Sequence, residues 1–102
     1  MKLRWAPRAL RDLDEIWAYI AHDNPVAATR WVERLHARVA KAARMPNTGR
    51  VVPEFEIYDV REVVMKGYRI LYAVRPKNVL VLTVFEGHKR APPLKLLLVP
   101  EP

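Results

Sequence analysis

The feature that most constrains this chain is a single change of hydrophobic period near its midpoint. From Ala9 to Met45 apolar residues recur every three or four positions; from Ile57 onward they alternate or run together. The first spacing lays one stripe along a helix, and the second builds the two faces of strands. Helices first and a run of strands after them make an α+β arrangement.

The helical half has two parts. "KLRW" alternates and places Leu3 and Trp5 on one side of a short first strand. Ala6-Pro7 then opens a helix: Pro7 suits its first turn because the missing N–H has no partner there, whereas Ala6 is a poor cap. Ala9, Leu10, Leu13, Ile16, Trp17 and Ile20 form one stripe, with Asp12, Glu15 and Tyr19 pointing away from it. "HDNP" breaks and restarts the pattern, with Asp23 or Asn24 as cap and Pro25 in the next first turn. Ala28, Trp31, Val32, Leu35, Val39 and Ala42 make the second stripe. So short a connection predicts an antiparallel helical hairpin. Pro46 ends the second helix near Met45, and "PNTGR" reads as a turn-rich loop.

Three β-rich runs follow: "IYDVREVVM", "YRILYAVR" and "VLVLTVFE", parted by Gly67 and by Pro76-Lys77-Asn78. In the middle run Tyr68, Ile70, Tyr72 and Val74 face one way, and Arg69, Leu71, Ala73 and Arg75 the other. The third run is apolar on both faces, as a strand covered on both sides requires. The expected fold is therefore α+β: a short N-terminal strand, an antiparallel helical hairpin and a three-stranded antiparallel meander, with the helices on one sheet face. Residues 1–102 are expected to form one domain, with 93–102 as a docked or flexible tail. The order of strands in the sheet is left open.

Composition narrows the function classes. The absence of cysteine excludes a disulfide framework and a thiolate zinc site. "MKLRWAPRALRDLDEIW" is charged every few residues and so lacks a secretory apolar segment, and no run elsewhere is long enough to span a membrane. A cytoplasmic protein without membrane contact is expected. The formal charge of +7 favours encounter with polyanions or acidic proteins.

Four groups of residues carry possible chemistry. Arg30, Arg34, Arg38 and Lys41 form a basic row on the second helix, either a solvated face or a surface for an anion or an acidic protein. His22, His36 and His88 lie on different elements without ligand spacing, so neither a metal nor another cofactor is expected. Arg69 lies mid-strand and needs an anionic partner, either Glu62 or Glu86 from a neighbouring strand or a bound phosphate. The fourth group is "VFEGHKR", residues 84–90, where an apolar run turns ionic. Gly87 allows a bend there, and His88, Lys89 and Arg90 gather beyond the strand end. An imidazole beside cations suits metal-free phosphate chemistry, but no second acid stands out, because Tyr58, Tyr68 and Tyr72 lie within expected strands.

The succession "WAPRALRDLDEIWAYIAHDNPVAA", "MPNTGR", "VREVVMKGYRILYAV" and "VLTVFEGHKR" resembles the RelE/ParE superfamily of bacterial type II toxin–antitoxin toxins, from about Leu3 to Pro92. The resemblance implies a small sheet backed by a helical hairpin. It also implies one of two activities: ribosome-dependent cleavage of messenger RNA, as in RelE-like members, or non-enzymatic poisoning of DNA gyrase, as in ParE-like members. Arg69 and Arg90 match the strand arginines of the nucleases. The nuclease lysine positions instead hold Val60 and Glu62, and the tyrosine position falls near Leu96. "NPVAA" and "VREVV" look like the ParE branch, which is the branch favoured.

On that reading the catalytic set is empty and Arg61, Arg69, His88, Lys89 and Arg90 contact the target. A nuclease would use Arg69, His88, Lys89 and Arg90 with ribosome and message as partners. The resemblance further implies a cognate antitoxin with an acidic C-terminal segment and a hetero-oligomeric complex, with Tyr19, Trp31, Arg34 and Arg38 as candidate contacts. A basic, non-toxic nucleic-acid-binding module is the remaining alternative.

Overall fold

A computed structural model describes residues 2–55 and 59–97. Ile57 and Tyr58, which begin the first expected extended run, lie outside the described residues, as do 98–102 of the tail. The elements are β1 (Lys2–Trp5), α1 (Pro7–Asp23), α2 (Pro25–Arg44), β2 (Arg50–Val51), β3 (Val60–Met65), β4 (Tyr68–Val74), β5 (Asn78–Glu86) and a short α3 (Leu94–Leu97). Five strands form one sheet in the order β1-β5-β4-β3-β2. The helical hairpin and the antiparallel β3-β4-β5 meander are as the periodicity predicts.

The strand order adds what periodicity leaves open. β1 pairs in parallel with β5, its most distant strand in sequence, with Lys2 beside Asn78 and Trp5 beside Val81. Parallel neighbours need a long crossover, and the helices and meander together supply it. The first residue after β1 continues the stitching, since the Ala6 N–H donates to the Val81 carbonyl at 2.9 Å. This anchor explains how α1 starts without a side-chain cap. A missing cap costs about 1 kcal/mol, and burying a side chain such as Leu13 contributes about 2 kcal/mol. Burial wins. Asn24 both ends α1 and caps α2, its side chain accepting from the Ala27 N–H at 3.0 Å.

The sheet has an apolar layer on each face. Ala9 and Leu13 of α1 and Trp31, Leu35 and Val39 of α2 pack on Met65, Ile70, Val81 and Val84. On the opposite face Val52, Phe55 and Leu97 close over Val60, Leu71, Ala73 and Leu82. β5 is thus covered on both sides. The alternation expected for β4 holds, with Ile70 towards the helices and Leu71 and Ala73 away from them.

Two details of α1 differ from its sequence pattern. Leu10 and Trp17, expected in the buried stripe, are 48% and 42% exposed. Asp12, expected to point outward, accepts from the Thr83 hydroxyl at 2.6 Å and from the Val84 N–H at 3.0 Å. One rotation accounts for both. At roughly 100° per residue the arc centred on Ala9, Leu13, Ile16 and Ile20 is bordered by Asp12 on one side and by Leu10 and Trp17 on the other. β5 bulges where Leu71 pairs with Thr83 but Tyr72 pairs with Val81, leaving Leu82 as the extra residue. β1 has ended there, and the Asp12 carboxylate takes over its role along β5.

β2, within the stretch expected to be loop, is only two residues long and carries no periodic signal. It is placed from outside. Arg61 donates to the carbonyls of Asn47 and Gly49 at 3.2 Å, and Tyr72 Oη donates to the Pro46 carbonyl at 2.9 Å. Gly49 is required by this approach, because a Cβ there would lie 1.9 Å from the Tyr72 hydroxyl.

Removing the Asp12 carboxylate leaves the Val84 N–H without its partner; Asp12→Ala is expected to cost about 2 kcal/mol in urea unfolding. Burial raises the Tyr72 pKa above its ordinary 10.0, and Gly49 and Arg61 partly oppose the shift. A raised folded pKa contributes stability that is fully present below the unfolded value and lost as pH rises through the folded one. Stability measured against pH should therefore fall from about pH 10 upward, and less steeply in Tyr72→Phe.

Candidate functional site: a basic trough on the open sheet face

The side chains that the sequence singles out divide between the two faces of the sheet. Arg69 of β4, Glu62 of β3 and Arg50 of β2 share the face away from the long helices, because Glu62 pairs with Arg50 on one side and Leu71 on the other. Glu62 is the only one of the three that is nearly inaccessible, at 5% exposure. Its Oε2 accepts from Arg69 Nε at 2.7 Å and its Oε1 from Arg50 Nε at 2.9 Å. One carboxylate therefore holds two guanidiniums, which keeps a buried charge paired. Arg69 also lies 5.0 Å from the centre of the Phe85 ring, a cation–π contact beneath the ion pair. Of its two suggested partners, Arg69 takes Glu62 rather than Glu86.

Arg69 stands where two hollows meet. One, of about 780 Å³, extends past Arg50, Val64 and Arg38 on the β3 side. The other, of about 480 Å³, is walled by Phe55, His88, Lys89, Arg90 and the prolines Pro92 and Pro93. Gly87, whose N–H donates to the Gly67 carbonyl at 2.7 Å, turns the chain after β5 and brings His88–Arg90 beside Arg69. The type of turn at Lys66-Gly67, with φ of 47° and 85°, makes this end of the β3-β4 hairpin tight. His88 Nε2 and Lys89 Nζ lie 3.4 and 3.7 Å from the Glu86 carboxylate. Arg90 makes no ion pair among the described residues. The result is an electropositive trough with one carboxylate buried in its floor.

Arg61 does not belong to this trough. It projects from the other face of β3, pairs with Asp59 at 2.9 Å and holds the Asn47 and Gly49 carbonyls. Neighbouring residues of a strand face opposite ways, and Arg61 serves the fold. Arg50, which sequence reading leaves unnamed, joins instead; its "GR" position carries no signal until β2 is paired.

The candidate partner contacts also divide. Tyr19 is 77% exposed, and Arg34 and Arg38 are exposed on α2. Trp31 is 7% exposed and stacks edge-on against Tyr68 at 5.1 Å, so its ring area is committed to the core. Its position in the helix stripe required this. The row Arg30, Arg34, Arg38 and Lys41 is solvated along its length. Arg30 and Arg34, with Lys66, rim a further hollow of about 390 Å³ floored by Ile20, Val26 and Trp31. His22, His36 and His88 remain on separate elements, His36 resting against Trp5 at 5.2 Å.

A helical hairpin on one face of a five-stranded sheet, with a basic trough on the other, is the architecture that the RelE/ParE resemblance implies. A family model described as the ParE toxin of the type II toxin-antitoxin system, parDE, matches residues 3–91, and the chain belongs to that family. The Sinorhizobium fredii protein Y4kP, which bears a provisional toxin name, is 41% identical over 93 residues, covering 89% of this chain and 93% of that protein. A chain of the chromosomal ParDE toxin–antitoxin system from P. aeruginosa shares the fold with a TM-score of 0.68 at 24% identity, covering 84% of this chain and 95% of that one.

Truncating Glu62 would leave Arg50 and Arg69 facing each other without a counter-charge. Glu62→Ala is expected to lose about 3 kcal/mol of stability. Adding Arg69→Met should recover part of it, a non-additivity measurable as a double-mutant cycle by denaturant unfolding.

Proposed function

We propose that this ParE-family toxin acts without catalysis, by binding DNA gyrase in the cytoplasm, and that a cognate antitoxin with an acidic C-terminal segment holds it in a hetero-oligomer until release. The observation that carries the non-catalytic reading is the pairing of Arg69 with Glu62. A nuclease needs this arginine facing the scissile phosphate, together with a base and an acid positioned for proton transfer. Here a buried carboxylate already occupies it, so its guanidinium is not free to face a scissile phosphate. His88, the nearest imidazole in the trough, is exposed and lies beside Glu86 instead. The trough is better suited to docking: Lys89 and Arg90 stand at its mouth, where charge speeds encounter and orients a partner.

Gyrase as the target is supported by membership of the ParE family and by the departures from the nuclease pattern at Val60, Glu62 and Leu96. The second reading, a ribosome-dependent endoribonuclease acting on message, is favoured by one observation, the hollow that Arg69 shares with His88, Lys89 and Arg90.

Supercoiling by purified gyrase should be inhibited at micromolar toxin, and Arg90→Ala should raise the inhibitory concentration by about tenfold. Full supercoiling at that concentration overturns the gyrase reading. Codon-biased cuts in translated messages, lost in Arg69→Ala, would establish the nuclease in its place.

A further inference from the structure

The trough ends at an incomplete sheet edge. In β3 the even-numbered residues direct their backbone groups away from β4: the Val60 carbonyl accepts from the Val52 N–H at 3.0 Å, whereas the Asp59 carbonyl accepts from Val74 of the β4 side at 2.8 Å. Glu62, the next even residue, pairs with Arg50. Val64 is the next in turn, and β2 does not reach it, because the chain enters β2 only at Arg50. The ladder on this side of β3 stops after Arg61 and Glu62, while the β4 side pairs all the way to Met65.

In place of a strand, Arg38 of α2 reaches across and donates from Nη2 to the Val64 carbonyl at 3.3 Å. The Val64 side chain beside it is 55% exposed. A hollow opens on each side of this edge. Arg50 and Arg69 lie in the larger with the Glu62 carboxylate between them, and Lys41 with the half-exposed Met45 lies in a smaller one of about 290 Å³ that Arg38 also borders. A strand laid along Val63–Met65 would send alternate side chains into these two hollows, the smaller bordered by Arg38 and Lys41 and the larger by three arginines against one carboxylate.

Resting on the antitoxin reading above, we infer that the edge of β3 at Val64 is a strand-addition site for an extended, acidic segment of the partner polypeptide. The incoming backbone takes the Val64 carbonyl and N–H, and Arg38 leaves that carbonyl to pair with a carboxylate of the new strand. Arg38 meanwhile protects the edge in the free toxin, because a cation across an open ladder discourages pairing with other chains. A second copy of this chain is the wrong occupant: it would bring Arg38, Arg50 and Lys66 against their own images. An acidic chain meets net positive charge on both sides of the strand, since Glu62 offsets only one of the three arginines on the larger side.

The test uses the full-length toxin and a short capped peptide alternating valine and glutamate, with the valine–lysine peptide as control. The valine–glutamate peptide should slow hydrogen exchange at the Val64 amide and shift the Arg38 side-chain resonances, and the control should do neither. Val64→Pro removes the outward N–H without touching a bond to β4, so it should fold with an unchanged thermal transition and bind about tenfold more weakly. Arg38→Ala, a second route that leaves the β3 backbone unaltered, should weaken binding and reduce its salt dependence. Peptide binding without Val64 protection overturns the inference. Equal affinity of wild type and Val64→Pro does so too, as does Val64 protection that rises with toxin concentration alone. A parallel arm uses the polypeptide encoded next to the toxin gene. If it fails to bind the wild type, the antitoxin reading falls; if it binds wild type and Val64→Pro equally, only the strand addition does.

Discussion

Everything in this molecule is arranged around the edge of β5 that β1 occupies. Hydrogen bonds along that edge run from Lys2 to Trp5, continue through the Ala6 N–H on Val81, and finish with the Asp12 carboxylate on Thr83 and Val84. A strand, a strand-to-helix junction and a helical side chain thus satisfy successive parts of one backbone. This continuity fixes the rotation of α1 on the sheet and, through the short Asn24 link, the line along which α2 crosses it. Once α2 is placed, Arg38 lies within reach of β3 and the basic row stands beside the open edge.

The opposite face depends on a different economy of charge. Glu62 is buried beside the apolar layer of Val60, Leu71 and Leu82, and burial of a carboxylate is tolerated because Arg50 and Arg69 both bind it. The same pairing sets the character of the trough: its cations are held in position, yet one of its charges is already answered from within. Phe85 beneath Arg69 and the bend at Gly87 then place His88, Lys89 and Arg90 at the rim, where they remain solvated and available to a partner.

Much of this was legible in the residues. The single change of period predicts the class, the prolines at 7, 25 and 46 bound the helices, and alternation in "YRILYAV" sorts β4 correctly between its faces. An arginine in mid-strand also announces an anionic partner, and Glu62 was one of two available. The misreadings in α1 share a cause. Leu10, Trp17 and Asp12 lie at the borders of a helical arc, where a rotation of a few tens of degrees decides burial. Arg61 and Arg69 look alike in a list of cations, but strand parity and the Asn47 and Gly49 carbonyls separate them. β2 is too short to have a pattern at all.

What the sequence by itself determined is the local and periodic part: two amphipathic helices, three long strands, their order along the chain, a strongly basic charge and the motifs of the toxin family. Periodicity is a property of neighbours in the chain, so it survives without knowledge of what lies opposite. Only the tertiary structure decided which strands are neighbours, which face each charge occupies and where the sheet is left unfinished. Those are outcomes of pairing between distant segments, Lys2 with Asn78, Arg50 with Glu62, Arg38 with Val64, and no local spacing encodes them.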